Sequence, residues 1–145
     1  MTDIRFVNAT QEDAEAITDC IAAAYSSARK TIADLPDVTA GIEQDISDHR
    51  VVLAMTDAGL AGVVIFDMLD TEMKIFNLAV SPKAQGQGIA GKLLVRAESE
   101  AREAGCMQIV LRTHRQMRDT RAIYAHLGWF ETEISGNSVE MKKAI

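Results

Sequence analysis

A chain of 145 residues fits one ordinary domain with a single core, and 48% hydrophobic against 25% charged residues is the balance of a globular chain, not a disordered one. Its 15 Lys and Arg against 21 Asp and Glu leave a net charge of −6, which excludes a broad nucleic-acid-binding face of clustered cations. No apolar run reaches the ~18 residues of a membrane span, the start carries no basic-then-apolar signal sequence, and Cys20 and Cys106 stand apart without a Cys/His cluster; the expectation is a cytoplasmic chain with two free core thiols, no metal, no nucleic-acid partner and no membrane.

Residues 4–8 read as a short strand, with Ile4, Phe6 and Asn8 alternating with Arg5. Thr10 is the expected cap of a helix, with Gln11, Glu12 and Asp13 in its first turn and Asp13 at the capping-box position. Ala14, Ile17, Ile21 and Tyr25 fall on one face, so this helix is expected to run to about Ser27. An irregular stretch over 28–38 contains Pro36 as a breaker, and Thr39 is the expected cap of a second short helix carrying Ile42, Ile46 and His49.

Residues 50–55 and 60–68 read as strands of a hairpin across Asp57-Ala58-Gly59, and a turn at Asp70-Thr71-Glu72 leads to a strand over 73–80. After Pro82 the period changes. Ile89, Leu93, Leu94, Ala97 and Ala101 stand at helical spacing, and Gly105 stops the helix. Residues 107–112 form an apolar strand, and the helix before it acts as a crossover, so the strands on either side run parallel in a βαβ unit. A helix over 119–127 ends at Gly128, and strands 129–134 and 138–142 close a hairpin across Ser135-Gly136-Asn137. His49, His126 and Trp129 read as structural, the last as a core aromatic. No repeat or linker divides the chain, so one domain over 1–145 is expected.

The segment from Leu78 to Leu94 is the most informative: a strand, a proline that ends it, a loop with glycines, then a helix. Gly86 and Gly88 permit positive φ and close backbone approach. The first N–H groups of the following helix have no intrahelical partner, and with the helix dipole they suit a phosphate or pyrophosphate. A P-loop is excluded, because no Lys-Ser/Thr pair follows the glycine. Gly86-Gln87-Gly88-Ile89-Ala90-Gly91 formally matches the dinucleotide pattern GxGxxG, yet it sits mid-chain after several antiparallel strands, and Glu103 falls inside the helix where that fold needs an acid ending a strand.

Gln85-Gly86-Gln87-Gly88-Ile89-Ala90 resembles the Q/R-x-x-G-x-G/A signature of the GNAT superfamily of N-acetyltransferases, with Val80-x-Pro82 before it and Leu93-Leu94 after it in the family's places. Tyr124-Ala125-His126-Leu127-Gly128-Trp129 is similar to the family's Y-x-x-L-G-F segment, and element order agrees along nearly the whole chain. The resemblance implies a mixed α/β (α+β) fold: a mostly antiparallel sheet of about six to seven strands, about four helices, and the βαβ unit around the coenzyme. It implies acetyl-CoA as cosubstrate. The amides of Gln85, Gly86, Gln87, Gly88, Ile89 and Ala90 would hold its pyrophosphate, and the backbone of Leu78, Ala79 and Val80 its pantetheine arm. An N–H near Val80 would polarise the thioester carbonyl. The acceptor would be a primary amine of a small molecule, amino acid or peptide.

Within the resemblance, Tyr124 stands where relatives place the tyrosine that serves the leaving sulfur. Two candidates for the base that deprotonates the amine are Glu72, just before its strand, and His114, just past its own, with Asn77 or a backbone-held water as alternatives. Arg115, Arg118 and Arg121 would meet the 3′-phosphate, an acidic substrate or only solvent. Asp34-Leu35-Pro36-Asp37 would line the acceptor cleft. Two other readings stay open at this point: a non-catalytic acyl-CoA sensor or interaction module, and another nucleotide binder on the same frame. A homodimer is compatible with either enzyme or sensor.

Overall fold

The computed structural model describes residues 3–34 and 39–145. Its elements are β1 (Arg5–Asn8), α1 (Ala14–Thr31), α2 (Ile42–Asp48), β2 (Arg50–Thr56), β3 (Gly59–Leu69), β4 (Glu72–Val80), α3 (Ile89–Glu103), β5 (Gln108–His114), α4 (Arg118–His126), β6 (Phe130–Ser135) and β7 (Ser138–Ala144). The strands are hydrogen-bonded in the order β1-β2-β3-β4-β5-β7-β6, mostly antiparallel, with β4 and β5 parallel. The chain resolves into two compact units, one of Met1–Phe66 with Asn77–Ala97, the other of Asp67–Phe76 with Glu98–Ile145.

In the first unit, β1 pairs β2 from Arg5↔Met55 to Asn8↔Val52, and β2 pairs β3 from Arg50↔Phe66, with a register shift between Ala54 and Met55. Ile17 and Ile21 of α1 and Ile42 of α2 pack with Val51, Leu53, Val63, Ile65 and Ala79 in one core. Ile17 and Ile21 are 0% exposed, which makes each worth about 1.5–3 kcal/mol of burial. The Thr10 N–H donates to the Asp13 carboxylate at 2.8 Å, so the capping-box position does its expected task, although a single 3-10 turn over Gln11–Asp13 precedes α1.

Two boundaries differ from the sequence pattern. α1 continues to Thr31, past the apolar stripe, with Arg29 and Lys30 in its last turn where cations suit the dipole. The irregular stretch therefore begins at Ile32. α2 is capped by Gly41 at φ +77°, not by Thr39, because the entry to this helix needs the left-handed region that glycine adopts freely. The Gln11 side chain ties the two helices, donating to Glu43 O and Ser47 Oγ, each at 2.9 Å. Leu35, Pro36 and Asp37, the breaker and most of the expected cleft wall, lie outside the described residues.

In the second unit, β4 pairs β5 in parallel from Glu72↔Gln108 to Ile75↔Leu111. β5 then pairs β7 along its whole length, Gln108↔Ala144 to His114↔Ser138, and β6 and β7 form the closing hairpin with a register shift between Glu131 and Glu133. β5 runs to His114, past the expected end at residue 112, because this ladder with β7 carries it there. Gly105 ends α3 at φ +83°. Glu98, 8% exposed, accepts from Arg102 at 2.9 Å and from Lys143 of β7 at 3.4 Å, and so fixes the end of α3 to the sheet.

Candidate functional site

β4 ends with Leu78 and Val80 half-buried around Ala79, and Asn77 before them is buried. The chain then leaves the strand under control. The Ser81 N–H donates to Ala61 O of β3 at 2.8 Å, Pro82 opens a 3-10 turn, and Ala84 is buried with its N–H on Ser81 O at 2.9 Å. The Cys20 thiol of α1 contacts the Ser81 backbone; burial pushes its pKa up, and that contact pulls it the other way by less.

Beyond Ala84 the loop is open to solvent. Gln85, Gly86, Gln87 and Gly88 are all exposed. Gly86 has φ +84° and Gly88 φ +73°, and a Cβ at either would meet nothing within 4 Å. Backbone conformation, not crowding, is therefore what calls for glycine here. Ile89, 1% exposed, begins α3 and Leu93 is fully buried one turn on. Lys92 N–H closes on Gly88 O at 3.1 Å, so the N–H groups of Ile89, Ala90 and Gly91 come ahead of the helical ladder. This unit thus carries Leu78, Ala79, Val80 and the run from Gln85 to Ala90 in one strand–loop–helix segment, with the N–H groups of Ile89, Ala90 and Gly91 ahead of the helical ladder.

Gly62 of β3 is a residue the sequence pattern did not single out. A Cβ there would lie 3.0 Å from Ile89 Cγ2, 3.0 Å from Leu93 Cδ1 and 3.1 Å from Ala79 O. A lone glycine inside a strand run is the signal that would have found it, since it marks close backbone approach. On another side of the loop, a cavity of about 290 Å³ is lined by Thr56, Asp57 and Leu60 around the β2–β3 turn and by Lys83 and Gln87 of the loop segment.

The second unit holds the three side chains expected to move protons. The Glu72 carboxylate accepts a hydrogen bond from Gln108 Nε2 and has Lys142 Nζ at 3.8 Å. His114 is 7% exposed, and its Nδ1 accepts the Gln116 N–H at 3.1 Å, which leaves the proton of the neutral ring on Nε2. Gln108, opposite Glu72, and His114 are the two ends of β5, so the base candidates are separated by six residues of strand, about 20 Å. Tyr124 is 8% exposed and meets Trp129 edge-on, with ring centroids 5.5 Å apart and planes at 61°. The N–H groups of Leu127 and Trp129 both donate to Tyr124 O at 3.0 Å, closing the end of α4 on this residue. Trp129 is buried, as its reading as a core aromatic requires.

Arg121 is not available to a ligand. It grips Glu131 through two bonds of 2.8 Å and donates to Arg115 O at 2.6 Å. The pairing holds the Glu131 carboxyl below its ordinary range and raises the guanidinium's already high pKa. Arg115 and Arg118 are exposed.

Residues 15–129 match the model of the Acetyltransferase (GNAT) family. No curated protein sequence matches the chain. Among solved structures, the fold is similar to that of the PaiA N-acetyltransferase from Thermoplasma acidophilum in complex with coenzyme A, at 18% identity, covering 99% of each chain, with a TM-score of 0.88. It is also similar to the ribosomal-protein-S18-alanine N-acetyltransferase from Escherichia coli, at 18% identity over 99% of this chain and 94% of that one, TM-score 0.81. The IAA acetyltransferase from Bacillus cereus, at 18% identity, covers 99% of this chain and 100% of its own with a TM-score of 0.74. At such identities the likeness is one of fold. Among the described residues no helix is long and apolar enough to cross a membrane.

Proposed function

Because the chain belongs to the acetyltransferase (GNAT) family, whose reaction is acetyl transfer from coenzyme A, we propose that it acetylates a primary amine of a small molecule, amino acid or peptide. The observation that carries the reading is the exposed loop from Gln85 to Gly88, two of whose residues have positive φ, leading into the free amides of α3. That arrangement suits a diphosphate: the first N–H groups of α3 precede the helical ladder, the helix dipole adds to them, and the glycines leave room for close approach. The coenzyme A bound in the T. acidophilum relative supports the same ligand here.

In this reading the end of β4 takes the pantetheine arm as an added strand would, through the main chain of Leu78, Ala79 and Val80. A backbone N–H near Val80 polarises the thioester carbonyl as negative charge grows on its oxygen. The amine nitrogen attacks the carbonyl carbon, the C–S bond breaks, and the thiolate leaves with the electron pair. Tyr124 donates its phenolic proton to that sulfur, the nitrogen sheds its second proton to solvent as the amide forms, and the phenolate takes a proton back from solvent.

The amine must lose a proton before it attacks. Glu72 already receives the Gln108 amide with the Lys142 ammonium close by, and the lone pair of His114 Nδ1 is held by the Gln116 N–H. His114 would have to give up its present partner to act as base, and Glu72 lies within ion-pair distance of Lys142, so we route this proton to water.

The test is release of free thiol from acetyl-CoA across a broad amine panel, with the acetylated product identified by mass. Thiol release that requires an added amine is expected. Coenzyme binding with no turnover on any amine would replace the enzyme with an acyl-CoA sensor.

A further inference from the structure

Two consecutive residues of β3 meet the two ends of the coenzyme loop. At the front, Ala61 O accepts the Ser81 N–H at 2.8 Å as the chain leaves β4. At the rear, the bare Cα of Gly62 receives Ile89 and Leu93, the first inward-facing residues of α3. Between these points the loop is exposed from Gln85 to Gly88, and beside Lys83 and Gln87 it borders the cavity of about 290 Å³. Packing against the β2–β3 turn therefore does not set its position there. The contacts with β3 do.

We propose that Ala61 and Gly62 are positioning residues for coenzyme binding: β3 spaces the end of β4 from the start of α3, and so sets where the loop amides point. The proposal rests on the acetyl-CoA reading above. Gly62 has ordinary backbone geometry, since it is absent from the residues with positive φ. Its lack of a side chain is thus a matter of space. A methyl group at this position cannot be absorbed by one flexible chain end, because it meets three atoms at once and one of them, Ala79 O, is backbone. The neighbours must yield by a few tenths of an ångström, and the side that carries Ile89 carries the loop with it.

The front contact is perturbed by Ser81→Pro. Ser81 has φ −54° and ψ 136°, which proline adopts, but the ring deletes the donor and sets Cδ where the N–H met Ala61 O at 2.8 Å, pushing the start of the loop off β3. The experiment measures CoA affinity by calorimetry, KM for acetyl-CoA, KM for the amine and kcat, together with Tm, for the unmodified chain, Gly62→Ala, Ser81→Pro and Val139→Ala. The last trims a fully buried side chain of β7, between β5 and β6, and controls for lost stability alone. Gly62→Ala and Ser81→Pro should each raise the CoA Kd and the KM for acetyl-CoA several-fold, with kcat and the amine KM held. Val139→Ala should lower Tm and leave all four unchanged. If one of the two does not fold, the other decides alone, and failure of both to fold overturns the positioning role in favour of a purely structural one. Normal coenzyme affinity in the folded variants overturns the positioning role while leaving the acetyltransferase reading intact. An unmodified chain that does not bind CoA takes both down.

Discussion

Replacing Gly88 with alanine separates backbone conformation from every other property of the loop. Gly88 sits at φ +73°, and a Cβ there would meet nothing within 4 Å. The substitution therefore removes no contact and causes no clash; it adds only the cost of holding an L-residue in the left-handed region, about 1–2 kcal/mol. The loop is exposed, so the chain can escape that cost by relaxing, and global stability should change little. The relaxed loop no longer presents the amides ahead of α3 in register, and binding the coenzyme must restore them. CoA affinity should fall by about 5- to 30-fold, the same 1–2 kcal/mol read as a ratio. Gly88→Asn should fall between glycine and alanine, because asparagine tolerates this region better. Gly86, at φ +84° and equally unobstructed, should behave the same way. The assay is calorimetric titration with CoA beside thermal unfolding without it. Wild-type affinity in both alanine variants would refute the argument that these backbone angles build the site.

Tyr124→Phe keeps the ring that meets Trp129 edge-on and removes only the hydroxyl. It should lower kcat by about 10²-fold with unchanged CoA affinity; a loss confined to affinity would remove Tyr124 from the chemistry. The Arg121–Glu131 pair lowers the carboxyl's pKa from an ordinary value of 4.5, so its contribution is present above that pH and disappears as pH falls through the lowered value in the fold. Urea midpoints measured from pH 7 down to pH 3 should fall less steeply for Glu131→Gln, and a profile parallel to that of the unmodified chain would contradict the assignment. Burial raises the Cys20 thiol above 9.0 and the Tyr25 phenol above 10.0. Both ionise first in the unfolded chain, so stability should decline as pH rises past about 9. Iodoacetamide at pH 8.5 should label Cys20 only after urea is added, and labelling of the folded chain at the rate of a free thiol would refute its burial.

The parts of this protein that were legible in its sequence are those whose cause is local. The change of period after Pro82 places α3 between β4 and β5, and the parallel pairing of Glu72–Ile75 with Gln108–Leu111 follows from that crossover. The loop proposed to hold the coenzyme was legible for a related reason: what it offers are backbone amides, and glycines at 86 and 88 announce its backbone angles. The proton chemistry was not legible, because it depends on the partners each side chain meets only in the fold. Glu72 is engaged by Gln108, 36 residues away, and by Lys142 of β7. The short-range pattern also misplaced the cap of α2, where Thr39 is a good capping residue yet the path of the chain needs the left-handed angle of Gly41. Gly62 escaped notice because its reason for being glycine is Ile89 and Leu93, which arrive only when β3 and α3 pack.

The measurement that bears most directly on the account is titration of the intact chain with CoA, with NAD and ATP titrated in parallel. One CoA should bind per chain, with neither nucleotide competing, and binding should raise Tm with the logarithm of ligand excess. No heat and no thermal shift with CoA, or equal responses to NAD and ATP, would show that the amides ahead of α3 serve another ligand or none.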